Sequence, residues 1–293
     1  MRLARNIAIT GAAALALAVT GCSGGGITAA DPDTGNPAAY GDCLITGEAG
    51  SQPLQLIKEG TITVKADLPS PGWYNGDTVE DIRSGFDFCI LANIAHRGGA
   101  KDIVLQNSSF DGLVAGKAGS FDMTLNQITI TDERKNVMDF SDPYFQSTAG
   151  VLVKDGATVT RESLAGSRIG VKQGTVGQML VSDVIKPETP PAVFPGDAEE
   201  QAAVAAGRID AGIQDLSIVL GTAGQSGGKL KVVGQILTDE AYGVMMPKGS
   251  ANVAVVNAML KDMKADGTLD KLSAAYLADA YGVDPASIPV WKF

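Results

Sequence analysis

Apolar and polar positions along this chain switch repeatedly between two periods. Short apolar runs of strand length fall at 64–67, 102–106, 121–125, 150–154, 167–172, 209–213, 230–233 and 242–246. Stretches with helical spacing fall at 84–97, 110–116, 176–184, 199–206, 252–266 and 269–280. Strands that take turns with helices in this way predict an α/β fold with parallel pairing. A Pro/Gly loop, LPSPGWYNGD, follows the first strand, and the Gly174-Thr175 turn opens the helix at 176–184.

Two internal echoes refine the pattern. VAGKAGSFDMTLNQ (114–127) is echoed by VAAGRIDAGIQD (204–215): a helix end, a short link, an apolar-Asp step and a strand. Asn126 follows Asp122 by four residues, as Gln214 follows Asp210. Both strands therefore deliver polar residues at their C-terminal ends, where open α/β sheets bind ligands. AGVLVKDG (149–156) and YGVMMPKG (242–249) form a second pair, read as strands that cross between two halves of the molecule.

The N-terminus reads as a targeting segment. Arg2 and Arg5 precede an apolar run at 7–19, shorter than the roughly 20 residues a membrane span needs. It ends Val19-Thr20-Gly21-Cys22, which resembles the lipobox of bacterial lipoproteins, so Cys22 is expected to be lipidated and to begin the mature chain. Residues 22–53, rich in Gly, Pro, Ala and Asp, are expected to be a flexible tether. The body from 54 onward, roughly 240 residues, is long enough for one large lobe or two small ones. With Cys22 lipidated, Cys43 and Cys89 remain; an exported chain permits a bridge between them, and two free thiols are the alternative. The chain has no Cys/His cluster for zinc. A net charge of -10 without a basic stripe argues against nucleic acid. The absence of a GxxxxGK[ST] loop argues against nucleotide binding.

The most informative stretch is 128–145, ITITDERKNVMDFSDPYF. It reads as a strand end, a short helix capped by Thr131 and carrying Arg134, and a turn into Tyr144-Phe145. Asp132 and Glu133 suit the positive end of that helix. A guanidinium fork matches a carboxylate bidentately and keeps its charge. This stretch resembles the signature of bacterial extracellular solute-binding proteins of family 3, the amino-acid receptors of ABC importers. The resemblance runs from about 60 to 276. It includes Gly85-Phe86-Asp87, residues 110–128, LAGSRIGVKQGT (164–175), Gly207-Arg208-Ile209-Asp210-Ala211 with Asp215, and Val256-Asn257 through Asp266-Gly267-Thr268.

The resemblance implies a type II periplasmic-binding-protein-like fold: two α/β lobes joined by a two-strand hinge that close over an amino acid. It implies a signal peptide at 1–21, the tether at 22–53, one lobe from 54–146 with 240–293, and the other from 147–239. By position, Arg134 is expected to hold the α-carboxylate, Thr129 to add a hydroxyl, and Thr175 to offer helix N–H groups. Asp215, from the other lobe, is expected to take the α-ammonium. Asp67 and Lys172 resemble the positions that contact the side-chain amide in glutamine-binding members. Phe110 and Trp73 are aromatic candidates for covering the aliphatic part, and Asn126, Gln127 and Gln214 are candidates for side-chain recognition. The expected partners are a polar amino acid, a permease with its ATPase, and a membrane reached through the lipid anchor. The protein is expected outside the cytoplasm, as a monomer, with no cofactor. Other readings stand beside these. Asp67 and Lys172 can pair as a structural bridge, Asp215 can cap the helix before Leu216, Trp73 can be core, and Arg134 can be an ordinary surface pair. A dehydratase-like enzyme acting on a small carboxylate with Asp67 as acid is the rival activity; the single histidine, His96, reads as a surface residue. A sensor domain is a third reading.

Overall fold

The glycine-bounded run after residue 84 forms helix α1 (Phe86–Gly98), whose residues are buried at almost every position. Gly85, at φ 117°, starts it because a Cβ there would lie 2.4 Å from the Trp73 carbonyl. A helix buried on nearly all sides needs cover on nearly all sides, and its buried Asp87, Asn93 and Arg97 need polar partners there. In this computed structural model, which describes residues 40–293, the cover comes partly from an unexpected source. Residues 40–52, expected to be tether, are pinned along the helix. Cys43 is bonded to Cys89, Thr46 N–H donates to Asn93 Oδ1 at 2.9 Å, and Gln52 N–H donates to the Arg97 carbonyl at 2.9 Å. Tyr40 is buried, and its hydroxyl donates to the Ala100 carbonyl at 2.5 Å. Composition suggested a free linker because the segment has little periodicity of its own; its backbone is held by donors and acceptors of α1 instead. His96, expected on the surface, is partly covered by the same segment and meets the Tyr40 ring edge-on at 5.8 Å. The signal segment, Cys22 and the start of the tether lie outside the described residues.

The first lobe is built on β1 (Thr61–Ala66) and β2 (Asp102–Asn107), paired in parallel from Thr61↔Asp102 to Ala66↔Asn107. Residues 121–125, expected as a strand, contribute only single bridges, Val64↔Met123 and Thr124↔Met245. Side chains complete that ladder: the Asp122 carboxylate accepts from the Ile57 and Thr63 N–H groups, and Thr124 Oγ1 donates to the Lys65 carbonyl. A short antiparallel pair, β3 (Met138–Phe140) with β9 (Met245–Pro247), closes the sheet side. Helices α7 (Val253–Ala265) and α8 (Thr268–Ser273) pack beside α1, and one core runs through all of them from Ile62 to Leu277.

The second lobe is one five-stranded sheet in the order β6-β5-β7-β4-β8. Its strands are β4 (Phe145–Lys154), β5 (Ile169–Lys172), β6 (Ala192–Phe194), β7 (Ala211–Asp215) and β8 (Leu230–Tyr242). β5 runs parallel to β6 and β7, while β4 is antiparallel to β7 and β8. Helix α4 (Val176–Leu180) follows β5, α5 (Asp197–Ala205) follows β6, and α6 (Leu216–Gln225) follows β7. The lobe's cores hold residues from Ala149 to Ile236, with Ile288 from the chain's last segment, and none of the first lobe's sheet. β4 and β8 stay paired from Phe145↔Tyr242 to Lys154↔Leu230, with irregularities near Ser147 and Val151. They are the strands that join the lobes. The run read as one strand at 242–246 is thus divided between the end of β8 and β9.

The chain end departs from expectation. Residues 282–293, expected with the first lobe, finish on the second. Gln235 N–H donates to the Pro289 carbonyl at 2.8 Å, and Trp291 N–H donates back to the Gln235 carbonyl at 2.7 Å. β8 is an edge strand with backbone groups to satisfy, and Gly234 opens the space: a Cβ there would lie 2.3 Å from the Trp291 ring. Among the described residues no helix is long and apolar enough to cross a membrane.

Candidate functional site

The C-terminal ends of β5 and β7 in one lobe and the turns after β1 and residue 125 in the other converge on a small closed cavity. It is lined by Phe110, Asn126, Gln127, Thr129, Arg134, Lys172, Thr175, Val176, Gln214, Asp215 and Ile218. Nine of these were candidates from the sequence; Val176 and Ile218 were not. The free volume is about 10 Å³, space for about one water. The lobes are therefore closed. Contacts that cross between them include the Lys172 ammonium to Asp67 at 2.6 Å, the Arg134 guanidinium to the Gly174 carbonyl at 3.0 Å, and the Gln173 amide to Asp111 at 3.3 Å.

Arg134 lies in α3 (Asp132–Val137), whose first turn is set by Thr131 accepting from the Arg134 N–H at 3.2 Å. Its side chain is buried and donates to two backbone carbonyls, Thr129 at 2.6 Å and Gly174 at 3.0 Å. Among the described residues no carboxylate comes within ion-pair distance of it. Burial lowers its pKa, opposed by the fields of Asp215 and Glu240. A buried guanidinium with only neutral partners still lacks its counter-charge.

Asp215 ends β7 and precedes α6. Its carboxyl is buried, and Tyr242 donates a hydrogen bond to it at 2.5 Å. It makes no side-chain cap to α6. Burial, then the nearby Glu240 charge, pushes its pKa up to about 8, and the Tyr242 and Arg134 contributions do not offset this. Glu240 itself accepts from the hydroxyls of Thr129 at 3.1 Å and Thr238 at 2.7 Å. Thr175 caps α4, accepting from the Gln178 N–H at 3.1 Å and donating to the Lys172 carbonyl at 2.8 Å.

Behind the other end of the cavity lies an ion cluster, of which Lys172 and Gln214 line the cavity and Asp67 and Asp197 do not. Lys172, 3% exposed, places its ammonium 2.6 Å from Asp67 and 2.7 Å from Asp197. Gln214 holds Asp197 from behind, donating to its second oxygen at 2.7 Å. Burial works against the Lys172 charge, but the two carboxylates outweigh it and its pKa is raised. Burial pushes Asp67 up against the pull of Lys172. Phe110, the first residue of α2 (Phe110–Val114), lies between the two ends, its ring 4.8 Å from the Lys172 ammonium and 5.5 Å from the Arg134 guanidinium.

Several candidates prove to be braces. Asn126 Oδ1 accepts the Asp67 N–H. Gln127 adopts φ 49°, a conformation uncommon for a residue with a side chain. Its amide donates to Asp87 at 2.6 Å and accepts from Ser70 at 3.0 Å. Asp87 also accepts from Tyr144 at 2.9 Å, and burial lifts its pKa to about 7. Trp73 does not line the cavity. It is 2% exposed and packs edge-on against Phe86, Phe145 and Tyr242, touching a neighbouring groove of about 480 Å³ rather than the closed space. Sequence reasoning missed Asp197, Glu240 and Tyr242. Asp197 reads in sequence as an acidic residue in a helix's first turn, and nothing there shows that it faces Lys172. Among the described residues no group of His, Cys, Asp and Glu side chains is placed to hold a metal ion.

The geometry agrees with comparison to known proteins. Residues 61–279 match the model of bacterial extracellular solute-binding proteins, family 3. The chain belongs to that family. As a member of family 3 it is a solute-binding protein rather than an enzyme. It is 33% identical over 273 residues to the ABC transporter glutamine-binding protein GlnH of Bacillus subtilis (strain 168), covering 85% of this chain and 93% of that one. It is 30% identical to the L-cystine-binding protein TcyJ of Escherichia coli (strain K12), covering 75% of this chain and 84% of that protein. An ancestral arginine-binding protein bound to glutamine superposes with a TM-score of 0.67 at 31% identity, covering 75% of this chain and 98% of that one. Family 3 membership thus agrees with the two-lobed fold, while the relatives differ in the amino acid their names carry.

Proposed function

We propose that this family 3 protein captures a polar amino acid, such as glutamine, glutamate or asparagine, between its closing lobes and delivers it to the permease of an ABC importer. The carrying observation is the pair of buried, uncompensated groups on opposite lobes: Arg134 without a carboxylate and Asp215 with its carboxyl pushed towards the protonated form. A zwitterion completes both. Arg134, with Thr129 and the N–H groups at the Thr175 cap, takes the α-carboxylate; Asp215 takes the α-ammonium; Phe110 covers the chain between them. Because the anchors come from different lobes, the ligand favours closure. Asp67, the acid that a dehydratase reading would use, is already engaged by Lys172. The lipid anchor at Cys22, the monomeric state and a location outside the cytoplasm at the cell membrane belong to the same proposal, as do the lobe limits given above with residues 282–293 moved to the second lobe. A thermal-shift screen against the twenty amino acids, on protein refolded to strip carried-over ligand, tests it. One polar amino acid should raise the melting temperature, since binding stabilises the native state, and Arg134→Ala and Asp215→Ala should remove the shift. No shift with any amino acid would refute it.

A further inference from the structure

The two anchors of the site meet at one residue of the hinge. We infer that Tyr242, the last residue of β8, is a positioning residue for ligand capture: its backbone holds the loop of the carboxylate anchor, and its hydroxyl aims the Asp215 carboxyl group at the ligand's ammonium. This deepens the amino-acid reading above and rests on it.

β8 ends at Tyr242, which pairs with Phe145 of β4. The Tyr242 backbone also forms an antiparallel bridge with Thr129, whose carbonyl accepts from Arg134 at 2.6 Å. The Tyr242 hydroxyl donates to Asp215 at 2.5 Å. One residue thus links both anchors, in the order Arg134, Thr129, Tyr242, Asp215. Packing fixes its ring. The ring is fully buried, stacks on Phe145 with centroids 5.4 Å apart, and meets Trp73 edge-on at 5.7 Å. Trp73 does not line the cavity, but it walls the residue that holds Asp215. The Ser217 hydroxyl lies 3.3 Å from the Tyr242 hydroxyl. A phenol has one proton to give, and Tyr242 gives it to Asp215, so Ser217 is the donor to Tyr242. Burial and the Asp215 charge push the Tyr242 pKa well above the usual phenol range, so the donor persists at any working pH. A donor fixed in place favours the ionised form of Asp215, the form an ammonium needs. The other charges that act on Asp215 are Glu240 on β8 and Asp197 on α5, which oppose that form, and Arg134 on α3, which favours it. Tyr242 is the neutral member of this set, so its hydroxyl can be removed without changing the charge of the site.

Calorimetric titration of the refolded full chain across the pH range tests this, with whichever of the twenty amino acids gives wild type the largest thermal shift. Wild-type affinity should rise with pH and flatten near about 8, where Asp215 ionises. Tyr242→Phe keeps the ring and removes the donor. The flattening should then move up by about one pH unit, the weight of one hydrogen bond to a charged group. Affinity at neutral pH should fall by about tenfold, and most of that loss should be regained at the alkaline end. Ser217→Ala weakens the donor without touching either anchor, and should move the flattening the same way by less. A residue that only packed the hinge would lower affinity equally at every pH. Such a uniform loss in Tyr242→Phe, or a profile that matches wild type, would overturn the inference while leaving the amino-acid reading intact. If Tyr242→Phe does not fold, Ser217→Ala decides by the same readout: an upward shift supports the inference, and no shift overturns it. Failure of all twenty amino acids to bind wild type would overturn both.

Discussion

The two ends of the cleft solve the problem of buried charge in opposite ways. At one end Arg134 donates only to carbonyls and Asp215 is pressed towards neutrality by burial and Glu240. At the other end Lys172 is matched by two carboxylates, one of them braced by Gln214. A charge left without its partner costs stability until a ligand supplies the partner. A charge already paired costs little, and ligands are sorted by whether they disturb it. On the proposed function, the incomplete end supplies affinity, common to all α-amino acids, and the complete end supplies choice among them.

Breaking the incomplete end should have the largest effect. Arg134→Ala removes one partner of a desolvated charge pair in the liganded state, a loss of about 3–5 kcal/mol, or roughly two to four decades of affinity by calorimetry. The same end should respond to pH. The Asp215 carboxyl is raised from 3.8 to about 8, so the ligand-free native state keeps a proton that the unfolded chain releases. Stability without ligand should fall as pH rises from about 4 to about 8 and level off above, the sign expected when the native state binds more protons. Binding should show the opposite slope, because the ligand ammonium needs the ionised carboxyl: affinity rises up to about tenfold per pH unit towards pH 8 and then flattens. Asp215→Asn should abolish the binding slope. It should leave part of the stability slope, since Asp87, buried and lifted to about 7, still titrates. Thermal melts and titrations across that range check both signs.

Smaller changes sharpen the contrast. Thr129→Ala removes one neutral hydroxyl and should cost about 0.5–1.5 kcal/mol, seen as a drop in affinity of about tenfold or less for every amino acid alike. Asp67→Asn, at the complete end, should instead change the ranking among side chains more than the average affinity. A uniform loss from Asp67→Asn would erase the distinction between the two ends.

Much of this was legible in the sequence, and what was not has physical causes. Long helices with glycine ends, such as α1, and strand–helix alternation are local signals. The polar residues at the ends of 121–127 and 209–215 were readable because position at a strand's C-terminal end is a rule of the fold. Residues 40–52 and 282–293 misled because they borrow their order from others: backbone acceptors of α1 in one case, the open edge of β8 in the other. β3, β6 and β9 are three-residue strands with too little pattern to see. In the site, Arg134, Asp215 and Lys172 were found through motif positions. Asp197 and Glu240 were missed because they matter only through groups distant in sequence, and Trp73 was left between ligand cover and core because an aromatic in a Pro/Gly loop gives no sign of which side it faces.

The most direct test is a calorimetric titration of the refolded full chain and of Arg134→Ala with the amino acid that gives the largest thermal shift. A one-to-one complex in wild type, weakened by two decades or more in Arg134→Ala, is the predicted result. Near-normal affinity in Arg134→Ala would contradict the claim that an uncompensated Arg134 is the anchor a ligand completes.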